Sequence, residues 1–137
     1  MKLLPIIIVF IVLSSFNIDA SYGCSCKSKP PKEAVRRLKK ESRAIFIGNV
    51  KEVIQEGGLN LRVILEIERS WKSIQANQVT IHTSGGCMVA FEAGRKYLVY
   101  AIGQKQLQTN VCMRTRAIEL AAEDIRLLGK SVNLPRN

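Results

Sequence analysis

An apolar run opens the chain. Leu3 to Leu13 is interrupted only by Pro5, follows the cationic Lys2, and gives way to Ser14, Ser15, Asn17 and Asp19. A charged start, a short apolar stretch and small residues at its end form the layout of a secretory signal peptide. The run falls short of the roughly 20 residues that cross a bilayer, so no membrane span is expected. Cleavage needs small residues three and one positions before the cut, and Ser21 and Gly23 place the mature N-terminus at Cys24. A cut after Ala20, with Ile18 at the third position before it, is the alternative. Ser21 and the bulky Tyr22 depart from a lipoprotein box, so lipidation of Cys24 is not expected. The expected division is a signal peptide over 1–23 and one domain over 24–137.

Beyond Cys24 the period of the pattern changes. Pro30-Pro31 cannot continue a strand ladder and suits a helix entry. Lys32 to Ser42 then reads as a helix with Ala34, Val35 and Leu38 as its apolar side. Five strand-like runs follow: Ala44 to Ile54, Leu61 to Trp71, Gln78 to Thr83, Lys96 to Ile102 and Leu107 to Met113. Gly48 inside the first marks a bulge or tight bend. Gly57-Gly58 makes a turn, and Ser84-Gly85-Gly86 forms a loop into Cys87. A last helix over Ala117 to Leu128 sets Ile118, Ala121, Ile125 and Leu128 on one stripe, with Gly129 as its stop. The fold class expected is mainly β: a five-stranded OB-fold-like barrel with flanking helices and two disulfides.

The cysteines change the picture most. The chain has four, Cys24, Cys26, Cys87 and Cys112, all in the mature part. An even number in a small exported domain reads as disulfides, and a four-thiolate metal site does not suit the spacing or the compartment. Cys24 and Cys26, one residue apart, cannot easily bond to each other because an extended chain holds their Cα atoms near the limit of disulfide reach, so each reaches a distant partner, and two pairings remain open.

Charge adds a second theme. The net charge is +10, and removing Lys2 with Asp19 leaves it unchanged. A secreted protein of this charge meets polyanions readily, glycosaminoglycans before nucleic acid in that compartment. Lys32, Arg36, Lys39 and Arg43 recur at helical spacing, and with Lys40 they are the candidate polyanion-binding residues. The shortage of aromatic residues argues against a nucleic-acid site, where bases stack on aromatic rings.

No catalytic arrangement is present. His82 is the only histidine and reads as an exposed or packed strand residue, and the sequence shows no Ser-His-Asp or Cys-His arrangement, no phosphate-cradling glycine loop and no paired-carboxylate motif. The chain is read as a non-enzyme without a cofactor of its own. Trp71 is expected to pack against the barrel.

One resemblance spans nearly the whole mature chain. Cys24-Ser25-Cys26 directly after the leader, the strand Ile45-Phe46-Ile47-Gly48-Asn49-Val50, Trp71-Lys72, Val79 to Thr83, Cys87, Phe91 with Gly94 and Tyr97-Leu98, and Cys112 with Arg114 follow in order. This set resembles the netrin-like inhibitory domain of the tissue inhibitors of metalloproteinases. The resemblance implies an OB-fold with Cys24–Cys87 and Cys26–Cys112 bonded. It further implies that the free α-amine and carbonyl oxygen of Cys24 chelate the zinc of a target protease. Ser25 then enters the specificity pocket, Cys26 and Lys27 run along the primed side of the cleft, and Ser84, Gly85, Gly86 and Cys87 lie alongside. The chain departs from the family in lacking cysteines for a third disulfide and any counterpart of the C-terminal domain, and in its lysine-rich link after Cys26. The expected partner is a zinc metalloproteinase, with glycosaminoglycan or matrix as a further class; a secreted, extracellular monomer is expected. The competing reading is a non-inhibitory netrin-like module that binds matrix, glycosaminoglycan or a partner protein.

Overall fold

A computed structural model describes residues 23–72 and 74–133. The expected leader and its cleavage site fall almost wholly outside these residues. The first helix, α1 (Pro31–Glu41), carries Pro31 at its first position and buries Ala34, Val35 and Leu38. It ends where Ser42 turns extended, one residue before the predicted limit. Four strands follow: β1 (Ala44–Gln55), β2 (Asn60–Lys72), β3 (Gln78–Ser84) and β4 (Lys96–Ala101). All lie within two residues of the predicted bounds.

The C-terminal third departs from expectation. Of the run Leu107 to Met113, only Leu107–Gln108 is strand (β5), and Cys112 lies in a 3-10 turn over Val111–Met113. The Asn110 side-chain carbonyl accepts the Cys112 N–H at 2.9 Å, and Arg114 closes the turn with φ 60°. A strand cannot continue through a capped turn followed by a left-handed residue. The last helix also starts later than predicted. Arg116–Ala117 forms a short strand, β6, against β4, and a 3-10 turn over Ile118–Leu120 precedes α2 (Ala122–Leu128). Sheet pairing with Tyr97 holds Ala117 out of helical geometry. Gly129 stops α2 with φ 78°, as expected, and β7 (Val132–Asn133) adds to β2.

The sheet is curled into an OB-like ring. β1 pairs antiparallel with β2 and β4, β2 with β3, and β3 runs parallel to β5. Ile102, just past β4, exchanges two hydrogen bonds with Gln108 of β5, at 2.9 and 2.8 Å. That bridge returns the path β1–β2–β3–β5–β4 to its start along one short seam, as in the partly open barrel of this fold. Register shifts between Ile47 and Gly48 and between Val50 and Glu52 bend the long β1–β2 pair. At Gly48 an added Cβ would stand 3.1 Å from Leu65 Cβ and Phe46 Cε2, so the glycine lets the bent strand close on its neighbours.

Two cores result from strand alternation. Phe46, Val50, Val63, Leu65, Ile81 and Val99 fill the ring. Ile45, Ile47, Leu98 and Tyr100 point the other way and meet Val35 and Leu38 of α1 and Leu128 of α2. β1 is thus buried on both faces over its first half. Trp71 packs on this second core and donates its indole N–H to the Gly129 carbonyl at 2.9 Å, with Arg69 over its ring.

Candidate functional site

Residues 23–30, which lead into α1, have no regular structure, and Ser25, Cys26 and Lys27 are exposed. Two covalent bonds hold it. Cys24 is bonded to Cys87 and Cys26 to Cys112, with Cα–Cα distances of 4.9 and 5.2 Å. This is the pairing that the family resemblance implies. The bridges lie side by side: Cys24 Sγ is 3.8 Å from Cys112 Sγ, which is 3.8 Å from Cys87 Sγ. Every sulfur is used in a disulfide, so the cluster offers no thiolate to a metal.

The surface that receives the strip is itself braced. β3 ends at Ser84, and Gly85 turns the chain with φ 79°. Its N–H donates to the Leu59 carbonyl at 2.8 Å, and the Val89 N–H donates to Thr83 Oγ1 at 3.0 Å. Ser84, Gly85 and Gly86 are exposed, and Cys87 is half-buried. The Val111 N–H donates to the Cys87 carbonyl at 2.9 Å, which joins the two disulfide landing points directly.

Cys112 is anchored more deeply. Thr109 Oγ1 donates to the Tyr100 carbonyl at 2.7 Å, and Thr115 Oγ1 accepts the Tyr100 N–H at 3.0 Å, gripping β4 from both sides of the turn. Next to it, Arg114 makes a bidentate pair with buried Asp124, which also accepts the Tyr100 hydroxyl at 2.9 Å. Burial first, and the Asp124 charge second, push the Tyr100 hydroxyl far above its ordinary pKa. The hydrogen bond to Asp124 raises that of Arg114.

Cys24, Ser25, Cys26, Lys27 and the Ser84–Cys87 loop therefore come together at one edge. Leu59 and Val111, 44% and 39% exposed, adjoin it through the hydrogen bonds just described. Neither was singled out by the sequence. Leu59 follows a glycine pair, and Val111 lies in the run that reads as strand, so only the fold reveals them as apolar residues flanking the edge.

The basic residues divide. Lys32, Arg36 and Lys39 line a groove of about 480 Å3 floored by Pro30, Val35 and Leu127. Lys40 is exposed near the end of α1, where its carbonyl and that of Lys39 accept from Lys72 Nζ. Arg43 lies past the helix end, beside Lys72 and Gly103 in a separate depression. Its expected place on one helical stripe fails because the helix stops at Glu41. Among the described residues none of these five cations forms an ion pair, whereas Lys29 and Arg37 engage Glu33 and Glu41.

Set against known proteins, the chain matches no family model and no curated protein sequence.

Proposed function

We propose that this protein is a secreted inhibitor of zinc metalloproteinases that acts through the N-terminal strip beginning at Cys24. The observation that carries the reading is the anchoring of that strip: two disulfides two residues apart fix an exposed Cys-Ser-Cys segment beside the Ser84–Cys87 loop. The Cys24 sulfur is spent in its bond to Cys87. A chain starting at Cys24 still presents an α-amine and a carbonyl oxygen, which with a metal close a five-membered chelate ring. A catalytic zinc keeps one position open for water, and a bidentate N,O ligand there displaces the nucleophile. An α-amine titrates near 7.7–8.0, so its deprotonation costs little at neutral pH. A strip ordered before binding loses less entropy on association. Ser25 would enter the pocket beside the zinc, and Cys26 and Lys27 would follow the cleft.

The test begins with intact mass, reduced and unreduced, and N-terminal sequencing of the exported protein. A chain starting at Cys24 with a free amine is then compared with one carrying a single alanine before Cys24, against catalytic domains of zinc metalloproteinases. Inhibition by the first and its loss in the second, at equal thermal stability, is the expected result. Equal inhibition by both, or none by the free-amine form, overturns the reading.

The unpaired cations support a second reading, a netrin-like module that holds sulfated matrix polysaccharide on α1. Retention on heparin should fall steeply with salt and with charge reversal at Arg36, Lys39 and Lys40. Retention indifferent to those changes removes it.

A further inference from the structure

The mouth of the barrel between the β1–β2 and β4–β5 loops holds a cavity of about 330 Å3. This lies at the small end of ligand sites, which run from about 300 to 1,000 Å3. Its walls are built in advance. Asn60 Nδ2 donates to the Gly57 carbonyl at 3.0 Å, and the Glu56 N–H donates to the Asn60 carbonyl at 3.0 Å, closing one loop. The other turns at Gly103 with φ 107°, where any Cβ would collide with the Gln106 carbonyl oxygen.

The lining has a definite chemistry. His82, Ser84, Gln106, Gln108 and Asn110 converge on the cavity. Asn110 spends its carbonyl on the Cys112 N–H, and the other four side chains make no hydrogen bond among the described residues. Ile102, 40% exposed, and Met113 supply an apolar patch. No lysine or arginine lines the cavity, although the chain carries 21 of them. Its one carboxylate, Glu56, is paired with Arg62.

These features select a ligand class. Without cations or stacking aromatics, the cavity is unsuited to an oligonucleotide or a sulfated chain. Amides, a hydroxyl and an imidazole offer both donors and acceptors, which matches groups that also do both. Sugar hydroxyls are such groups, and a sugar ring has an apolar face for Ile102. In OB barrels the face of strands 2 and 3 with these two loops holds oligonucleotides or oligosaccharides, and the lack of cations and stacking rings here leaves the second. We propose that this cavity binds a neutral oligosaccharide through His82, Gln106, Gln108 and Asn110. The site is independent of the Cys24 amine and of the inhibitor reading.

The test is a backbone amide NMR titration of the disulfide-bonded protein with maltotriose, cellotriose and chitotriose as separate probes. At least one should shift the amides of His82, Gln106 and Gln108, with a Kd of about a millimolar. Raising the salt to roughly 0.5 M should leave the affinity unchanged, because no ion pair is involved. His82→Ala and Gln106→Ala should each weaken binding, together by about tenfold or more, while Lys39→Glu should not. Gln106 is exposed on its loop, so its variant reports on binding even where His82→Ala unfolds the chain. Failure of all three probes to move these amides overturns the proposal. So does binding that falls with salt and with Lys39→Glu, which would put the saccharide on α1.

Discussion

Arg114 donates from Nε to Asp124 Oδ2 at 2.9 Å and from a terminal nitrogen to Oδ1, so both carboxylate oxygens of a buried aspartate face one guanidinium. The pair ties α2 to the turn that holds Cys112, two residues earlier. The Tyr100 hydroxyl completes the arrangement from β4. Position of the N-terminal strip thus depends on a chain of contacts that runs from the last helix through Arg114 to a disulfide.

Asp124→Ala should be among the most damaging single changes. It leaves the Arg114 cation and the Tyr100 hydroxyl without their acceptor, and breaking a buried pair costs about 3–5 kcal/mol. Denaturant unfolding measures this directly. Replacing Arg114 and Asp124 together by Met and Leu should recover much of the loss, because no buried charge is then stranded. A cost for Asp124→Ala below about 1 kcal/mol would show that the pair is dispensable.

Alkaline pH should reveal Tyr100. Its pKa is raised by burial and by Asp124, so the folded protein keeps a proton that the unfolded chain releases near pH 10. Stability is then full below pH 10 and falls above it, by about 1.4 kcal/mol per pH unit for this group. Tyr100→Phe should remove that part of the slope. Unfolding curves of both proteins from pH 8 to roughly pH 11 give the comparison, and parallel curves would refute the effect.

Gly48→Ala should destabilise by crowding. The glycine has no positive φ, so the penalty comes from contacts of 3.1 Å with Leu65 and Phe46 rather than from the backbone. Overpacking of this kind costs about 1–3 kcal/mol. Leu65→Ala alone should cost about 2–5 kcal/mol through a cavity. Combined, the two should cost less than their sum, since the added methyl enters the space vacated; strict additivity would mean they do not meet.

Inhibition should weaken as the medium becomes acidic. Only the neutral α-amine donates to zinc, so the inhibition constant should rise about tenfold per pH unit below roughly pH 7. A hydroxamate measured beside it on the same protease controls for titration of the enzyme. A profile no steeper than that of the hydroxamate would leave the amine without a role.

Much of the scaffold was legible in one dimension. The apolar stripe of α1, four long strands and Gly48 in the bent strand follow from periodicities that local geometry imposes. Those signals arise wherever one face of an element is buried, so the sequence carries them in plain form. The run Leu107 to Met113 misled because its apolar residues serve different ends. Leu107 pairs in the sheet, Val111 stays exposed, and Met113 packs in the second core. Asn110 and Arg114 break the strand with a cap and a left-handed turn, which the alternation of neighbours does not show.

Composition and periodicity sufficed to define a basic, mainly β protein with four cysteines, two of them one residue apart and the other two far along the chain. The sequence also limited the pairing, since two cysteines one residue apart in an extended segment do not readily bond to each other. Which cysteines meet, the departure of Arg43 from the helix face, and the placing of Leu59 and Val111 beside the anchored strip follow from the fold in three dimensions. The fold alone gathered His82, Gln106 and Asn110 around one cavity that no lysine or arginine lines. The reason is physical: periodicity reports which face of an element is buried, whereas a site forms where loops distant in the chain meet, and that is set by how the sheet curls and closes.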